Sequence, residues 1–257
     1  MNIFKQFIRS IYSPRDIASF RNQGIGKTIL YVFLLSLLSI IPTMIYFNSA
    51  ITNGISSAQD TIEEEFPSFS IKDGELHAEQ KEPIFHEQGD FTVVFDSTGA
   101  LSKANLKNQG NTIGLLKNEF VFIAGGQVES YPYSMLTDLV ISKNDFLHFL
   151  NKIESSIGFI VATVSVVSYL FTSATQFIKI SILAIFGLIL KNTLKKNIQY
   201  RHLWRMSAYA VTLPTVFFLI MSAIKTNVPS GYLIDFFVAL IMLLLAIREI
   251  PSQVDPD

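Results

Sequence analysis

The stretch TILYVFLLSLLSIIPTMIYFNSA, residues 28–50, contains no charged residue. A helix rises 1.5 Å per residue, so about 20 such residues cross the roughly 30 Å hydrocarbon core of a bilayer. The segment therefore predicts a transmembrane helix, and its length and position favour an uncleaved signal anchor over a cleaved signal peptide. Pro42 is expected to kink it near its outer end. The alternative is a buried helix of a soluble protein.

Three further apolar blocks follow at residues 155–190, 206–224 and 228–247, within a predicted C-terminal membrane domain of residues 154–248. The first of these is long for one span and short for two spans with a turn. One long helix gives four spans in the chain. A break at the polar residues 172–176 gives five.

Positive charge in short segments sets the orientation of membrane helices. Two segments are basic, residues 1–27 and the 191–205 loop, and we expect both to be cytoplasmic. Residues 1–12 also have an apolar stripe at helical spacing, which is typical of a helix at a membrane surface. The candidate surface and orientation residues are Lys5, Arg9, Arg15, Arg21, Lys191, Lys195, Lys196, Arg201 and Arg205.

This orientation makes residues 51–153 extracytoplasmic and the tail 249–257 cytoplasmic. The stretch 49–154 has 16 acidic residues against seven lysines, a net charge of −9. Its short alternating runs predict strands, and Asp73-Gly74 between two such runs predicts a hairpin. Ser142 and Asp145 form a capping-box pattern before a helix that leads into the apolar block. The predicted fold is an α-helical membrane bundle with an inserted small α+β domain, mainly antiparallel β.

The sequence contains none of the common catalytic or cofactor-binding patterns. There is no cysteine, and we find no phosphate-binding glycine loop and no nucleophile elbow. His77 and His86 lack the spacing of a metal site, and the net charge of −1 does not favour nucleic acid. We therefore predict a non-enzymatic protein with no catalytic, cofactor-binding or metal-binding residues.

Lys179 and Asp235 stand out because each lies inside an apolar block. Ionisable residues within a membrane are candidates for function. They are predicted to pair between helices, since each charge shields the other from lipid. The alternative is that each side chain reaches to a membrane interface separately.

The opening NIFKQFIRSIYSPRDIASFRNQGIGKTILYVFLL, the FPSFSIKDGELHAEQKEP segment and the FDSTG turn resemble a family of polytopic membrane proteins of unknown function in Firmicutes. Its members often carry the description maltodextrin-utilisation membrane protein. The resemblance covers essentially the whole chain, and the C-terminal half is also loosely similar to Yip-type membrane domains. It implies a bacterial cell-membrane protein with a link to carbohydrate utilisation, and no catalytic motif.

The leading functional hypothesis is an accessory or regulatory membrane protein, linked by the resemblance to oligosaccharide uptake. Its expected partners are the lipid bilayer and another membrane protein complex, such as a sugar importer, or further copies of itself. An oligomeric transporter is the first alternative. A cell-envelope sensor or scaffold is the second.

Overall fold

The computed structural model describes residues 2–88, 91–136 and 139–251, and the predicted tail lies outside these residues from position 252 onward. The chain divides into two compact units. Met1–Tyr46 and Ala162–Asp257 form the first, which we call the bundle unit. Phe47–Val161 form the second, the β unit.

In the described part of the chain, four helical segments are long and apolar enough to cross a membrane. The first is α3 (Ile25–Glu64), which passes through Pro42 without a break. The second is α5 (Lys143–Thr193), and the fourth is α8 (Gly231–Arg248). Both α3 and α5 extend well beyond the predicted spans because the polar residues that flank each apolar block continue the helix.

The third segment is divided into α6 (Tyr200–Ala210) and α7 (Thr212–Ala223). Pro214 has no N–H to donate to the carbonyl of residue 210, which explains the break at Val211. The helix begins at Tyr200, so Arg201 and Arg205 lie on α6 rather than in the expected 191–205 loop. By contrast, α5 is continuous across residues 172–176, where the five-span alternative places a break.

The N-terminal segment forms α1 (Ile3–Tyr12) and α2 (Pro14–Phe20). Ser13 caps α2, because its hydroxyl accepts a hydrogen bond from the backbone N–H of Asp16 at 3.3 Å. The apolar stripe predicted for α1 is partly exposed, and the side of α1 that is fully buried is polar. Gln6 and Ser10 are fully buried, whereas Phe4 is exposed, as are Ile8 and Tyr12.

The β unit contains two sheets, and the first is three-stranded and antiparallel in the order β2-β1-β8. The predicted hairpin is confirmed: β1 (Phe69–Lys72) and β2 (Glu75–Ala78) flank Asp73 and Gly74, which have φ values of 52° and 80°. Positive φ at both central residues is the type I′ geometry that suits a twisted hairpin. The third strand is β8 (Ile141–Ser142).

The second sheet has five strands in the order β3-β4-β5-β6-β7. Its strands are β3 (Ile84–Gln88), β4 (Phe91–Asp96), β5 (Asn111–Leu116), β6 (Glu119–Ala124) and β7 (Gln127–Pro132). The pair β4–β5 is parallel and the other pairs are antiparallel, so the sheet is mixed. The crossover between the parallel strands contains α4 (Lys103–Leu106), and a 3-10 helix (Tyr133–Leu136) follows β7.

Each unit has its own apolar core. In the β unit, Phe95 is fully buried and its ring lies 4.7 Å from Phe66 and 5.3 Å from Phe69. In the bundle unit, α5 and α8 pack closely beside Gly187. A Cβ there would lie 3.2 Å from Leu243 and 3.3 Å from Leu203, so even an alanine would require these leucine side chains to shift by a few tenths of an ångström.

Candidate functional site

The structure brings Lys179 and Asp235 together. The Lys179 Nζ donates to Asp235 Oδ2 at 2.8 Å, which joins α5 to α8. Lys179 lies 14 residues before the end of α5 and Asp235 lies 13 residues before the end of α8. Both side chains are therefore about 20 Å from those helix ends, at matching heights in the bundle. About one fifth of each side chain is exposed, so both charges are reachable.

The exposed part of this ion pair faces a cavity of about 650 Å³ within the bundle unit. Helices α3, α5, α7 and α8 line it, together with the loop between α7 and α8. Lys179 and Asp235 are the charged residues of its described lining. Most of the other lining residues are polar, including Ser39, Thr43, Thr172, Thr175, Gln176 and Thr215.

The polar lining residues of α5 share one helical face. Thr172, Thr175, Gln176 and Lys179 are spaced at i, i+3, i+4 and i+7, and residues at this spacing lie above one another on a helix. From the sequence, residues 172–176 are a candidate break in the helix and are assigned to no site. The spacing with Lys179 is the signal that could have identified them.

The walls of the cavity are joined by hydrogen bonds between helices. Gln176 on α5 donates from Nε2 to the Thr215 hydroxyl of α7 at 3.3 Å, and both residues are buried. The Thr215 hydroxyl in turn donates to the Val211 carbonyl at 2.7 Å, beside the break between α6 and α7. A buried amide is costly unless it is paired, so this contact fixes α5 against α7 at the level of the cavity.

The cavity is closed beyond the ion pair by a packed apolar core. On α5, Lys179 is followed by Ile180, Leu183 and Ala184, and all three are fully buried. On α8, fully buried Ala239 and Leu243 follow Asp235 by one and two turns. A single bundle unit therefore contains a polar recess with one closed end rather than a continuous polar path.

The predicted surface residues divide into two groups. Four are exposed: Lys5, Arg15, Lys195 and Arg201. The other five make contacts within the protein, and four of these donate to backbone carbonyls: Arg21 to Ala18, Lys191 to Ile198, Lys196 to Ile250 and Arg205 to Arg21. Carbonyls at helix ends lack partners within the helix. These cations therefore stabilise helix ends and loops as well as contributing positive charge.

Arg9 makes the remaining contact, a 2.8 Å ion pair with Asp16 that joins α1 to α2. Burial by itself raises the pKa of the Asp16 carboxyl. The hydrogen bonds from Ser13 and Arg9, together with the positive charges of Arg9 and Arg15, outweigh burial and hold the pKa below its ordinary value.

The buried carboxylate of the β unit has a structural role. Asp96 is fully buried, and its Oδ1 accepts from the backbone N–H of Thr98 at 2.9 Å while its Oδ2 accepts from that of Leu101 at 2.7 Å. It therefore orders the turn after β4. His77 lies on β2 and His86 on β3, which belong to different sheets.

The comparison with known families is informative for nearly the whole chain. Residues 4–247 match the family described as Protein of unknown function (DUF1189). The chain belongs to the DUF1189 family. No curated protein and no solved structure matches it. Because the DUF1189 match includes α3, α5, α7 and α8, every helix that lines the cavity belongs to the family region.

Proposed function

We propose that this DUF1189 protein is a non-enzymatic accessory or regulatory protein of the bacterial cell membrane. It has a cytoplasmic N-terminus and an extracytoplasmic region at residues 51–153. It binds a polar ligand in the recess closed by Lys179 and Asp235, and it conveys occupancy of the recess to a membrane partner. The closed polar recess carries the proposal, because it is a ready binding site that does not cross the bundle.

The surface of the bundle unit supports a membrane location. Along α5, Ile178, Ile185 and Ile189 are each more than half exposed. Such a surface is unfavourable in water and favourable in lipid. The basic residues near the start of α3, the end of α5 and the start of α6 support a cytoplasmic position for these ends.

The partner is proposed to contact α5. Only 11% of the most apolar part of α5 is buried within the chain. For the most apolar part of residues 200–223 the buried share is 50%. A membrane protein complex can pack against this surface without displacing the chain's own helices. The oligosaccharide importer suggested by the resemblance is the partner to test first.

The second candidate is an oligomeric transporter. The observation that favours it is the reachable ion pair, since charges within a membrane frequently mark substrate paths. The packed core around Leu183 and Leu243 opposes a path through one copy. A path between several copies would have to pass outside this core.

Matched serines on α3 test the recess. Ser39 lines the cavity, whereas Ser36, one turn away on the same helix, is fully buried and does not. Since the chain contains no cysteine, Ser39→Cys and Ser36→Cys each introduce a unique thiol. In intact cells, a membrane-impermeant thiol reagent should modify Ser39→Cys and leave Ser36→Cys unmodified. An unreactive Ser39→Cys in a folded protein would contradict the recess and with it the proposed function.

Two loop positions test the orientation. Asn197→Cys should react only after the membrane is permeabilised, and Asn227→Cys should react in intact cells. Modification of Asn197→Cys from outside would overturn the proposed orientation.

A photo-crosslinking residue tests the partner. Placed at Ile185 on α5, it should give a defined crosslink to one membrane protein, and the same residue at the less apolar position Lys195 serves as the control. Solute uptake by the purified protein alone in liposomes, without a crosslinked partner, would favour the transporter instead.

A further inference from the structure

The polar cavity continues into a second cleft between α3 and α5, with a volume of about 410 Å³. The two spaces share Ser39, Thr43, Phe171 and Thr172. The cleft adds Ile40 and Met44 from α3 and Val167 and Ser168 from α5. Both spaces expose apolar as well as polar surface, and polar residues make up a smaller share of the lining in the cleft than in the cavity.

The cleft reaches the outer surface of the bundle unit. Phe171 is 76% exposed and Val167 is 61% exposed, on the helix that carries the largest exposed apolar surface. In the membrane these side chains contact lipid. The cleft is then a lateral opening from the bilayer into the polar cavity, and an amphiphile could insert its head group without leaving the membrane.

The charge of the cavity restricts the head group. The charges of Lys179 and Asp235 cancel, and the described lining has no other charged residue. An anion drawn to Lys179 would be repelled by the carboxylate of Asp235. A cation drawn to Asp235 would be repelled by the ammonium of Lys179. A head group without net charge avoids both costs.

The hydrogen bonds of the lining restrict it further. The hydroxyls of Ser39, Thr175 and Thr215 already donate to backbone carbonyls, at 2.8, 3.0 and 2.7 Å. A hydroxyl has one donor and two acceptor sites, so these oxygens can serve the cavity mainly as acceptors, and Thr215 has one acceptor site left beside its bond from Gln176. With the Asp235 carboxylate they form a group of acceptors within the lining, which favours a ligand that brings several hydrogen-bond donors to it.

We infer that the cavity binds the head group of an electroneutral membrane lipid that carries several hydrogen-bond donors, admitted from the bilayer between α3 and α5. This inference rests on the proposed function, since it requires the recess to lie in the membrane and to bind a ligand. Two head groups have the required chemistry: a glycosyl group, which donates from hydroxyls, and phosphoethanolamine, which donates from its ammonium.

Four lipids distinguish the effect of head-group charge from the effect of head-group hydrogen-bond donors. Phosphatidylcholine is electroneutral without head-group donors, and phosphatidylglycerol has hydroxyl donors with a negative charge. Phosphatidylethanolamine and glucosyl diacylglycerol are electroneutral with donors. The full chain is purified in detergent with an equimolar mixture of the four, and lipids retained by the folded protein are measured by native mass spectrometry.

We expect one or both of the electroneutral donor lipids to be enriched about tenfold over phosphatidylcholine, the ratio that one or two additional hydrogen bonds supply. The lipid enriched identifies the source of the donors. Equal retention of all four, or preferential retention of phosphatidylglycerol, would overturn the inference. If Ser39→Cys is reactive while retention is equal, only this inference fails. If Ser39→Cys is unreactive, the proposed function fails with it.

A matched pair of substitutions tests the lateral opening. Ser168→Phe fills the cleft, whereas Val166→Phe adds a ring two residues away at an exposed position that lines neither space. Enrichment should be lost in Ser168→Phe and kept in Val166→Phe. Loss in both variants, or in neither, would contradict entry between α3 and α5.

Removing one charge tests the neutrality argument. Asp235→Asn leaves Lys179 without its counter-charge, so the cavity becomes positive. Retention should then shift toward phosphatidylglycerol. An unchanged preference in the folded variant would contradict the charge argument.

Discussion

The bundle unit and the β unit differ in where their polar and apolar residues lie, in the interior or on the surface. In the described part of the chain, 28 of the 36 exposed large apolar residues belong to the bundle unit. Of the 12 buried polar residues, nine also belong to it. The β unit buries its aromatic core and has few buried polar residues, as proteins in water do. The bundle unit has polar groups in its interior and an apolar exterior, as expected for a protein in lipid.

The contrast indicates what holds each unit together. The β unit is stabilised by removing apolar surface from water, for example around Phe95. In lipid this driving force is absent between helices, and packing together with hydrogen bonds between helices takes its place. The contacts Gln176–Thr215 and Lys179–Asp235 are therefore both structural contacts and parts of the candidate site.

The largest expected effect compares two positions on one helix. Phe149 belongs to the β unit and Ile185 to the bundle unit, and they are 58% and 54% exposed on α5. If their surroundings are water and lipid, Ile185→Asp should cost about 3 kcal/mol in membrane insertion. Phe149→Asp should change stability by no more than about 0.5 kcal/mol. Resistance of each variant to alkaline extraction and its thermal unfolding measure the two costs.

Ile185→Ser is the control for this comparison, because it removes apolar surface without adding charge. It should be inserted nearly as well as the unsubstituted chain. Equal tolerance of Asp at positions 149 and 185 would show that the two units have the same solvent, and the contrast between them would be lost.

The next effect concerns the ion pair. Lys179→Met or Asp235→Leu alone leaves the other charge partly buried without its partner. Because the pair is about one fifth exposed, we expect a cost of about 2 kcal/mol, less than for fully buried pairs. The double variant replaces both charges with apolar groups and should recover most of this loss. Chemical unfolding of all three variants in the same detergent gives the coupling free energy.

Lys195→Met is the control for the loss of a lysine, since Lys195 is exposed, and it should change stability little. A double variant no more stable than the weaker single variant would mean that the pair does not contribute as a unit. That result would favour the alternative in which each side chain reaches a membrane interface separately.

Local signals in the sequence predicted the elements that depend on local interactions. The hairpin at Asp73-Gly74 and the cap at Ser142 are confirmed, because each needs only neighbouring residues. Missed elements depend on distant partners. The strand β8 has two residues and exists through pairing with β1, and the parallel pair β4–β5 requires a crossover that no short motif marks.

For the candidate site, the sequence identified Lys179 and Asp235 because charge within an apolar block is conspicuous. It did not identify Ser39 or Thr215, since single hydroxyls are common in membrane helices and their meeting depends on helix packing. The buried face of α1 was also missed. Gln6 and Ser10 pack inward because the bundle presents polar groups there, including the hydroxyl of Tyr209 beside Gln6 at 3.4 Å.

The smallest expected effect is the pH dependence of the Arg9–Asp16 contact, which joins α1 to α2 in the bundle unit. The pKa of Asp16 is lower in the folded chain than its ordinary value of 3.8, so the folded state favours the carboxylate. The contribution of the contact to the free energy of unfolding is therefore fully present above that ordinary value, and it is lost as the pH falls through the lower, folded pKa.

A partly exposed ion pair of this kind contributes about 0.5 kcal/mol. Unfolding of the unsubstituted chain and of Asp16→Asn should thus differ by a small constant amount from pH 7 to pH 5, and the difference should disappear once the pH has fallen below the folded pKa of Asp16. A difference that grows on acidification would mean that the folded state favours the protonated acid, and the contact between α1 and α2 would then not stabilise the bundle unit.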